Sequence, residues 1–336
     1  MVLVTGANGE IGHGLIPMFY HNQEGLGILA LDLKEIEPSL RNHCQACIVG
    51  DILDQRLLDR LVSEYEIYAI FHLAAMLSTR SEFTPETAHL VNVQGTLNLL
   101  RLAVEQSRWH GRTVKFLFPS SIAVYGLSGE HTKLHVGKIK EHQWNEPTTM
   151  YGCNKLYCEH LGRYYTRHYR QLALDGETRG IDFRCIRFPG LISAVTEPSG
   201  GTSDYAPEML HHAAQGKPYV CFVREDVQIP LMTMPDAIKA LIMLMDAPIS
   251  KLSRLVYNVS SFNPTAGEIR DLVMKAFLEA KIRFEPDERR QAIVDSWPSD
   301  VDDTPARQDW AWLPDYDFQR AFDEYLVPLI SQRHNS

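Results

Sequence analysis

Short, almost uninterrupted apolar runs alternate along the chain with longer stretches in which apolar residues return every three or four positions. Val2–Val4, Ile28–Leu31, Ala46–Val49, Ala69–Leu73, Val114–Phe118 and Phe183–Phe188 are runs of the first kind. Apolar at nearly every position and bounded by turn residues, they predict strands covered on both faces. Between them, Ile11, Leu15, Ile16 and Phe19 form one helical stripe, which Pro17 is expected to bend. Leu57, Leu58, Leu61 and Val62 form a second stripe, and Leu90, Val93, Leu97, Leu100 and Val104 a third, on a helix from about Pro85 to Arg108. Strand–helix–strand repetition of this kind implies an α/β fold, a Rossmann-like doubly wound parallel sheet with right-handed crossovers. After Pro189 the rhythm breaks. Residues 189–235 are rich in Gly, Pro, Ser and Thr, and a helix (about 235–247), a strand (Leu255–Val259) and a helix (266–280) follow. The expected division is a Rossmann-like domain over 1–188, completed by about 236–280. A smaller, discontinuous cap is expected from 189–235 and 281–336.

Composition narrows the class. The 336 residues are 45% apolar and 22% charged, as in an ordinary globular protein, with a formal net charge of −9. That charge argues against a nucleic-acid partner, which needs a basic face. No basic segment ahead of an apolar stretch marks a signal peptide. The apolar segment Ala237–Ile249 is broken by Lys239 and Asp246 and is too short to span a bilayer. The expectation is a protein with no membrane partner, in the cytoplasm. Six cysteines are scattered without a disulfide framework. Cys44 and Cys47 make one C-x-x-C ahead of a short apolar run, and are read as two partly buried thiols at a strand start.

Thr5-Gly6-Ala7-Asn8-Gly9-Glu10-Ile11-Gly12 follows the first strand and opens the first helix. In that context Gly6 permits a tight turn, Gly9 lets backbone approach a pyrophosphate, and Gly12 lets helix pack on strand. The helix N-terminus then holds phosphates with its N–H groups and dipole. Asp32 ends the second strand, 20 residues past Gly12. A carboxylate there accepts hydrogen bonds from ribose hydroxyls and repels a 2′-phosphate, which favours NAD over NADP. Asp51 and Ile52, after the third strand, are placed beside the adenine. Leu73, Ala74 and Ala75, after the fourth, supply small groups where backbone passes close to a cofactor.

Tyr151 and Lys155 lie four apart on a predicted helix and share a face. An ammonium near a phenol favours the phenolate and lowers its pKa toward working pH, making a general base for a substrate hydroxyl. Ser121 ends the fifth strand at the carboxyl edge of the sheet, where its hydroxyl can hold the substrate oxygen.

With these motifs together, the chain resembles the extended branch of the short-chain dehydrogenase/reductase superfamily. The resemblance implies that Ser121, Tyr151 and Lys155 act together, the lysine also binding the nicotinamide ribose. It further implies cofactor contacts from Asn8, Glu10, Ile11, Asn92 and Pro189, and a homodimer built on the helices at Pro85–Arg108 and after Tyr151. The Ser121–Tyr151 spacing is longer than usual there. The extra residues around Leu127–Glu146 carry His131, His135 and His142 and are read as a solvated loop without a metal. A second insertion spans 171–180.

Three substrate classes compete within that branch. Dehydratases carry an acidic pair just after the catalytic hydroxyl, where this chain has Ile122-Ala123. Sugar-nucleotide epimerases grip a diphosphate with an arginine, for which Arg224 is the one candidate here. Phe188-Pro189-Gly190-Leu191-Ile192-Ser193, Gly200-Gly201-Thr202-Ser203-Asp204, Pro230–Ala237 and Ser296-Trp297-Pro298, with His72–Ser78, resemble instead the short-chain type of L-threonine 3-dehydrogenase. That likeness implies oxidation of L-threonine at its 3-hydroxyl to 2-amino-3-oxobutyrate, with hydride passing to NAD and with Ser78, Ser121, Tyr151, Gly190, Thr202 and Trp297 around the substrate. A nucleotide-binding regulator without catalysis is the reading from another class. It would be expected to lack the tyrosine or the lysine, and both are present.

Overall fold

The computed structural model describes residues 1–22, 26–173, 180–198 and 200–335, without the side chains of Asn22 and Asn335. Most of the 171–180 insertion, residues 174–179, lies outside the described residues. Strands β1 (Val2–Thr5), β2 (Ile28–Asp32), β3 (Ala46–Val49), β4 (Ala69–His72), β5 (Val114–Ser121), β6 (Ile181–Phe188) and β10 (Val256–Asn258) form one sheet in the order β10-β6-β5-β4-β1-β2-β3. β1 pairs in parallel with β2 and β4, β2 with β3, and β4 with β5. Every residue of β1, β4 and β6 is buried, which is why β1 and β4 read as nearly continuous apolar runs. β3, at the edge, is only half-buried. This is the Rossmann-like α/β sheet that the alternating pattern implies.

Two departures from the sequence reading have local causes. The stretch read as one α-helix from Pro85 to Arg108 is α-helical over Pro85–His89, widens to a π turn over Leu90–Gln94, and resumes over Gly95–His110. Asn92 lies in the wide turn. Its amide accepts from Met76 N at 2.8 Å and donates to Met76 O at 3.1 Å, so the helix and the β4 loop fix one another. A π turn within a helix is common at functional sites. β6 also carries charge where only apolar residues were expected. Arg184 is satisfied by Asp182 beside it and by the carbonyls of Leu244, Met245 and Ala247, the open C-terminal end of the Met234–Asp246 helix.

The chain groups into two compact units. The first contains Met1–Ser120, Cys153–Ile186 and Ile238–Tyr257; the second contains Ser121–Gly152, Arg187–Ala237 and Asn258–Ser336. The second holds two small parallel pairs, β7 (Gly190–Ile192) with β9 (Leu231–Thr233), and β8 (Tyr219–Cys221) with β11 (Ile282–Phe284). Residues 121–152, assigned from sequence to the Rossmann-like domain, belong to this unit, and 127–146, whose three histidines are exposed as a solvated segment requires, is nevertheless tied down at several points. Leu127 N donates to Ser296 O at 2.8 Å, the buried Lys133 Nζ to Val294 O at 2.8 Å, and Ile139 N to Asp300 O at 3.2 Å. Arg187 donates to Glu141 O and Asn145 Oδ1, both at 2.9 Å. The histidines drew attention to the segment's polarity. Its anchors are Leu127, Lys133 and Ile139, whose partners lie more than a hundred residues away, and Glu141, held by Arg187 46 residues away; none has a signature in local sequence. Among the described residues no three His, Cys, Asp or Glu side chains gather as metal ligands, and no helix is long and apolar enough to cross a membrane.

Candidate active site

In the first unit the Gly-rich turn is shaped by contact. Gly6 has φ +66°, and a Cβ there would lie 2.7 Å from Ala74 N; a Cβ on Gly12 would overlap the Ala7 carbonyl. Both positions therefore admit only glycine. Gly9 N closes the turn on Gly6 O at 3.0 Å, and the Glu10–Asn22 helix starts immediately after it. The N–H groups of Glu10, Ile11 and Gly12 open that helix, the arrangement that receives a pyrophosphate.

Asp32 stands beside the turn. Its carboxylate accepts from Asn8 N at 3.0 Å and from Lys34 N at 3.1 Å, one bond on each oxygen. Each oxygen keeps lone-pair capacity for a ribose hydroxyl. The Asn8 side chain, expected at the cofactor, is spent on the loop after β2: it donates to Glu35 O at 2.9 Å and accepts from Glu37 N at 3.1 Å. His13 reinforces that loop through Glu37 Oε2 at 3.0 Å and Gly9 O at 3.0 Å. Burial opposes the charge on His13, yet these hydrogen bonds to Glu37 and Gly9 raise its pKa above the usual value. Asp51 accepts from Leu53 N at 2.9 Å, while buried Ile52 packs on Gly95 and receives Asn98 Nδ2 on its carbonyl at 3.1 Å.

Leu73 and Ala74 hang from Thr5, through its carbonyl at 3.1 Å and its hydroxyl at 3.3 Å. Asn92 holds the same loop at Met76, so its role here is to position the loop carrying Ala75. His72, which sequence reading quoted without a role, bridges Thr5 Oγ1 at 2.9 Å and Thr96 Oγ1 at 3.0 Å. Burial, with the Lys155 charge beside it, pushes its pKa down to about 3, so the ring is neutral. Ser78 opens the short Ser78–Phe83 helix beyond this loop.

Tyr151 and Lys155 lie one turn apart at the start of the Met150–Arg167 helix. Lys155 is 5% exposed, donates to Pro119 O at 2.6 Å, and sits 4.5 Å from the Phe118 ring centroid. Burial pulls its pKa down to about 8, with Cys158, Cys185 and Glu159 working the other way. The effect on Tyr151 is a correction to the sequence reading. The phenol is displaced upward rather than toward neutral pH, because burial disfavours the phenolate. Beside Lys155, and missed from sequence, buried Glu159 accepts from Ser120 Oγ at 2.6 Å, steadying the strand end that leads to Ser121.

In the second unit Ser121 and Tyr151 come together through backbone. Ser121 Oγ accepts from Ala123 N at 3.2 Å, holding the Ile122–Val124 turn. A Cβ on Gly152 would overlap the Ala123 carbonyl, so the first turn of the Tyr151 helix presses directly on that turn. Thr148 Oγ1 and Ser296 Oγ are 3.0 Å apart, which brings the residue before Trp297 to the same helix start. Trp297 is 4% exposed, and its indole N–H has no partner among the described residues. Buried Pro189 links β6 to β7, where Gly190 N donates to Pro230 O at 3.0 Å. Thr202 is 4% exposed in a loop whose Gly201 carbonyl accepts from Arg290 at 3.1 Å. Arg224 faces three carboxylates: Asp295 at 2.8 and 3.1 Å, Glu130 at 3.0 Å and Asp226 at 3.1 Å.

The sequence profile of the NAD dependent epimerase/dehydratase family matches residues 2–260. The chain is 34% identical over 335 residues to the mitochondrial L-threonine 3-dehydrogenase of Bos taurus, covering 100% of this chain and 83% of that protein. It superposes with a TM-score of 0.86 on a monomeric L-threonine 3-dehydrogenase of metagenomic origin, at 35% identity over 99% of this chain and 100% of the other. A UDP-glucose 4-epimerase from Thermotoga maritima shares the fold, with a TM-score of 0.82 over 99% of each chain at 20% identity.

Proposed function

The chain belongs to the NAD dependent epimerase/dehydratase family and is an NAD-dependent dehydrogenase, and from that premise we propose that it oxidises L-threonine at its 3-hydroxyl to 2-amino-3-oxobutyrate. The observation that carries the choice of substrate is Arg224. Bound bidentately by Asp295 and flanked by Glu130 and Asp226, it is already neutralised and offers nothing to a sugar-nucleotide diphosphate. Elsewhere in the second unit the loop of Thr202, the turn of Ser121 and the indole N–H of Trp297 supply hydroxyl, backbone and N–H groups that suit a small zwitterion. The relatives named L-threonine 3-dehydrogenase match over the whole chain, second unit included.

The cradle of the first unit fits a dinucleotide. The Gly6 and Gly12 positions exclude side chains, the helix N-terminus is open, and Asp32 is held ready for ribose hydroxyls and against a 2′-phosphate, which favours NAD. When bound, NAD supplies the hydride acceptor. Tyr151 takes the hydroxyl proton, Ser121 holds that oxygen, and Lys155 carries the positive charge one helical turn from the phenol. Trp297 donates its unpaired N–H to the substrate, with Thr202 and Gly190 on the neighbouring loop and strand and Ser78 contributing a hydroxyl. The family's division into a cofactor domain and a substrate cap is proposed for this chain along the two units. Tyr157 and Tyr164 are exposed on one helix, and Leu90 on another, which supports a homodimer; a monomeric mass by light scattering would oppose it.

The test follows NADH absorbance with L-threonine, allo-threonine, serine, 3-hydroxybutyrate and a UDP-hexose. Turnover with L-threonine is expected, and turnover with the UDP-hexose alone overturns the reading in favour of an epimerase-like activity. Tyr151→Phe is expected to abolish turnover while NAD still binds.

A further inference from the structure

We propose that Arg290 is a positioning residue for the substrate: it fixes the loop of Thr202 and, through its own helix, spaces that loop from Trp297. The proposal rests on the reading of Thr202 and Trp297 as substrate contacts. Both are buried, and both lie in the second unit with Arg290.

The Arg290 guanidinium is held from two sides. Asp287 caps the Glu288–Asp295 helix, its carboxylate accepting from Arg290 N at 2.9 Å. The guanidinium carbon lies over the Phe222 ring, 3.1 Å from its centroid. Phe222 is itself tied to the helix start, its carbonyl accepting from Asp287 N at 2.9 Å. A planar group stacked on a ring aims its N–H donors in a fixed plane, and Nη2 donates to Gly201 O at 3.1 Å.

At the receiving end the loop closes on itself. Gly201 N donates to Asp204 Oδ2 at 2.5 Å, and Asp204 N donates back to Gly201 O at 3.2 Å. A Cβ on Gly201 would lie 2.7 Å from Asp204 Oδ1, so this close approach requires glycine just before Thr202. These internal bonds set the shape of the loop, but they cannot set its place relative to Trp297. Arg290 ties it from outside.

The far end of the same helix carries Trp297. Its N–H donates to Val294 O at 3.2 Å, and Ser296 N donates to Ala292 O at 3.2 Å, so Trp297 rides on the last turn. That turn is anchored by Thr148 Oγ1, 3.0 Å from Ser296 Oγ, and by Lys133, which donates to Val294 O at 2.8 Å. Arg290 and Trp297 are seven residues apart. That is about two helical turns, or roughly 10 Å. The helix is a strut with the Thr202 loop at one end and the indole at the other. Cutting the Arg290 tie leaves Ser121, Tyr151 and Lys155 in place and loosens the hold on the substrate, which raises KM with little change in kcat.

The full chain and its Arg290→Met and Arg290→Lys variants are assayed by NADH absorbance on whichever small hydroxy compound the wild type oxidises. A wrong substrate then shows in the wild type, and a wrong role for Arg290 shows only in the variants. For Arg290→Met the KM for that substrate is expected to rise about tenfold, with kcat and the KM for NAD within about twofold. Arg290→Lys keeps the charge and a donor for Gly201 O but loses the planar face, so a rise of about threefold is expected. A wild-type substrate KM in Arg290→Met, or in Arg290→Lys where the methionine variant does not fold, overturns the proposal. So does a KM for NAD that rises in step with the substrate KM, since a residue that only supports the fold disturbs both. Turnover of a UDP-hexose alone by the wild type overturns the proposal together with the substrate reading.

Discussion

Replacing Lys155 by methionine is expected to stabilise the chain while abolishing its activity. The lysine is buried against Phe118 and hydrogen-bonded to one carbonyl, and burial lowers its pKa from 10.5 to about 8. At about 1.36 kcal/mol for each pH unit of that fall, the charged lysine opposes folding by about 3 kcal/mol at pH 7. The sign follows from proton binding. Between pH 8 and 10.5 the unfolded chain holds a proton that the folded chain has released, so wild-type stability rises with pH through that window. Methionine is neutral throughout and contributes no such slope. Its lost hydrogen bond to Pro119 O and altered packing add a constant, so the informative quantity is the change in the gap between the two proteins. That gap is expected to shrink by about 2–3 kcal/mol from pH 7 to pH 10. Urea unfolding of both cofactor-free proteins at the two pH values measures it, and the other titrating groups cancel in the comparison. A gap that stays constant or widens with pH would refute the reasoning, since the lysine would then carry no burial penalty. Loss of NADH formation in the same variant would show that the penalty is retained for turnover.

Three further outcomes follow from the geometry. Gly6→Ala forces a side chain into a left-handed backbone 2.7 Å from Ala74 N. It is expected to lower stability by about 1–3 kcal/mol and to weaken NAD binding, both read by thermal unfolding with and without NAD; an unchanged melting temperature contradicts this. Asp32→Asn presents an amide N–H₂ to Asn8 N or Lys34 N, so one of those donors loses its acceptor. NAD affinity is expected to fall about tenfold and NADP affinity to fall less, and calorimetry showing equal losses would separate Asp32 from cofactor choice. Lys133→Met removes one of the donors on the buried Val294 carbonyl, Trp297 N at 3.2 Å remaining, at a cost of about 0.5–1.5 kcal/mol. An unmoved urea midpoint would mean that the 127–146 segment is not anchored as described.

The sequence by itself determined the sheet and the cofactor cradle. Strands buried on both faces must be apolar throughout, and a turn that meets backbone at Ala74 and Ala7 must be glycine, so local pattern and global contact point to the same residues. It also placed Tyr151 and Lys155 together, because helical spacing alone puts them on one face. Tertiary structure decided the electrostatics. Whether a phenol's pKa falls or rises depends on how much water reaches it, and the surroundings of Tyr151 and Lys155 come from segments far apart in sequence. It likewise decided that Asn8 and Asn92 spend their amides on positioning loops, and that Arg224 is enclosed by Asp295, Asp226 and Glu130. Polar residues read identically in sequence whether they face a ligand or each other. Only long-range packing brings Leu127, Lys133 and Ile139 against residues 294–300, so a segment that reads as a polar loop is pinned to the second unit at those buried positions while most of its side chains stay exposed.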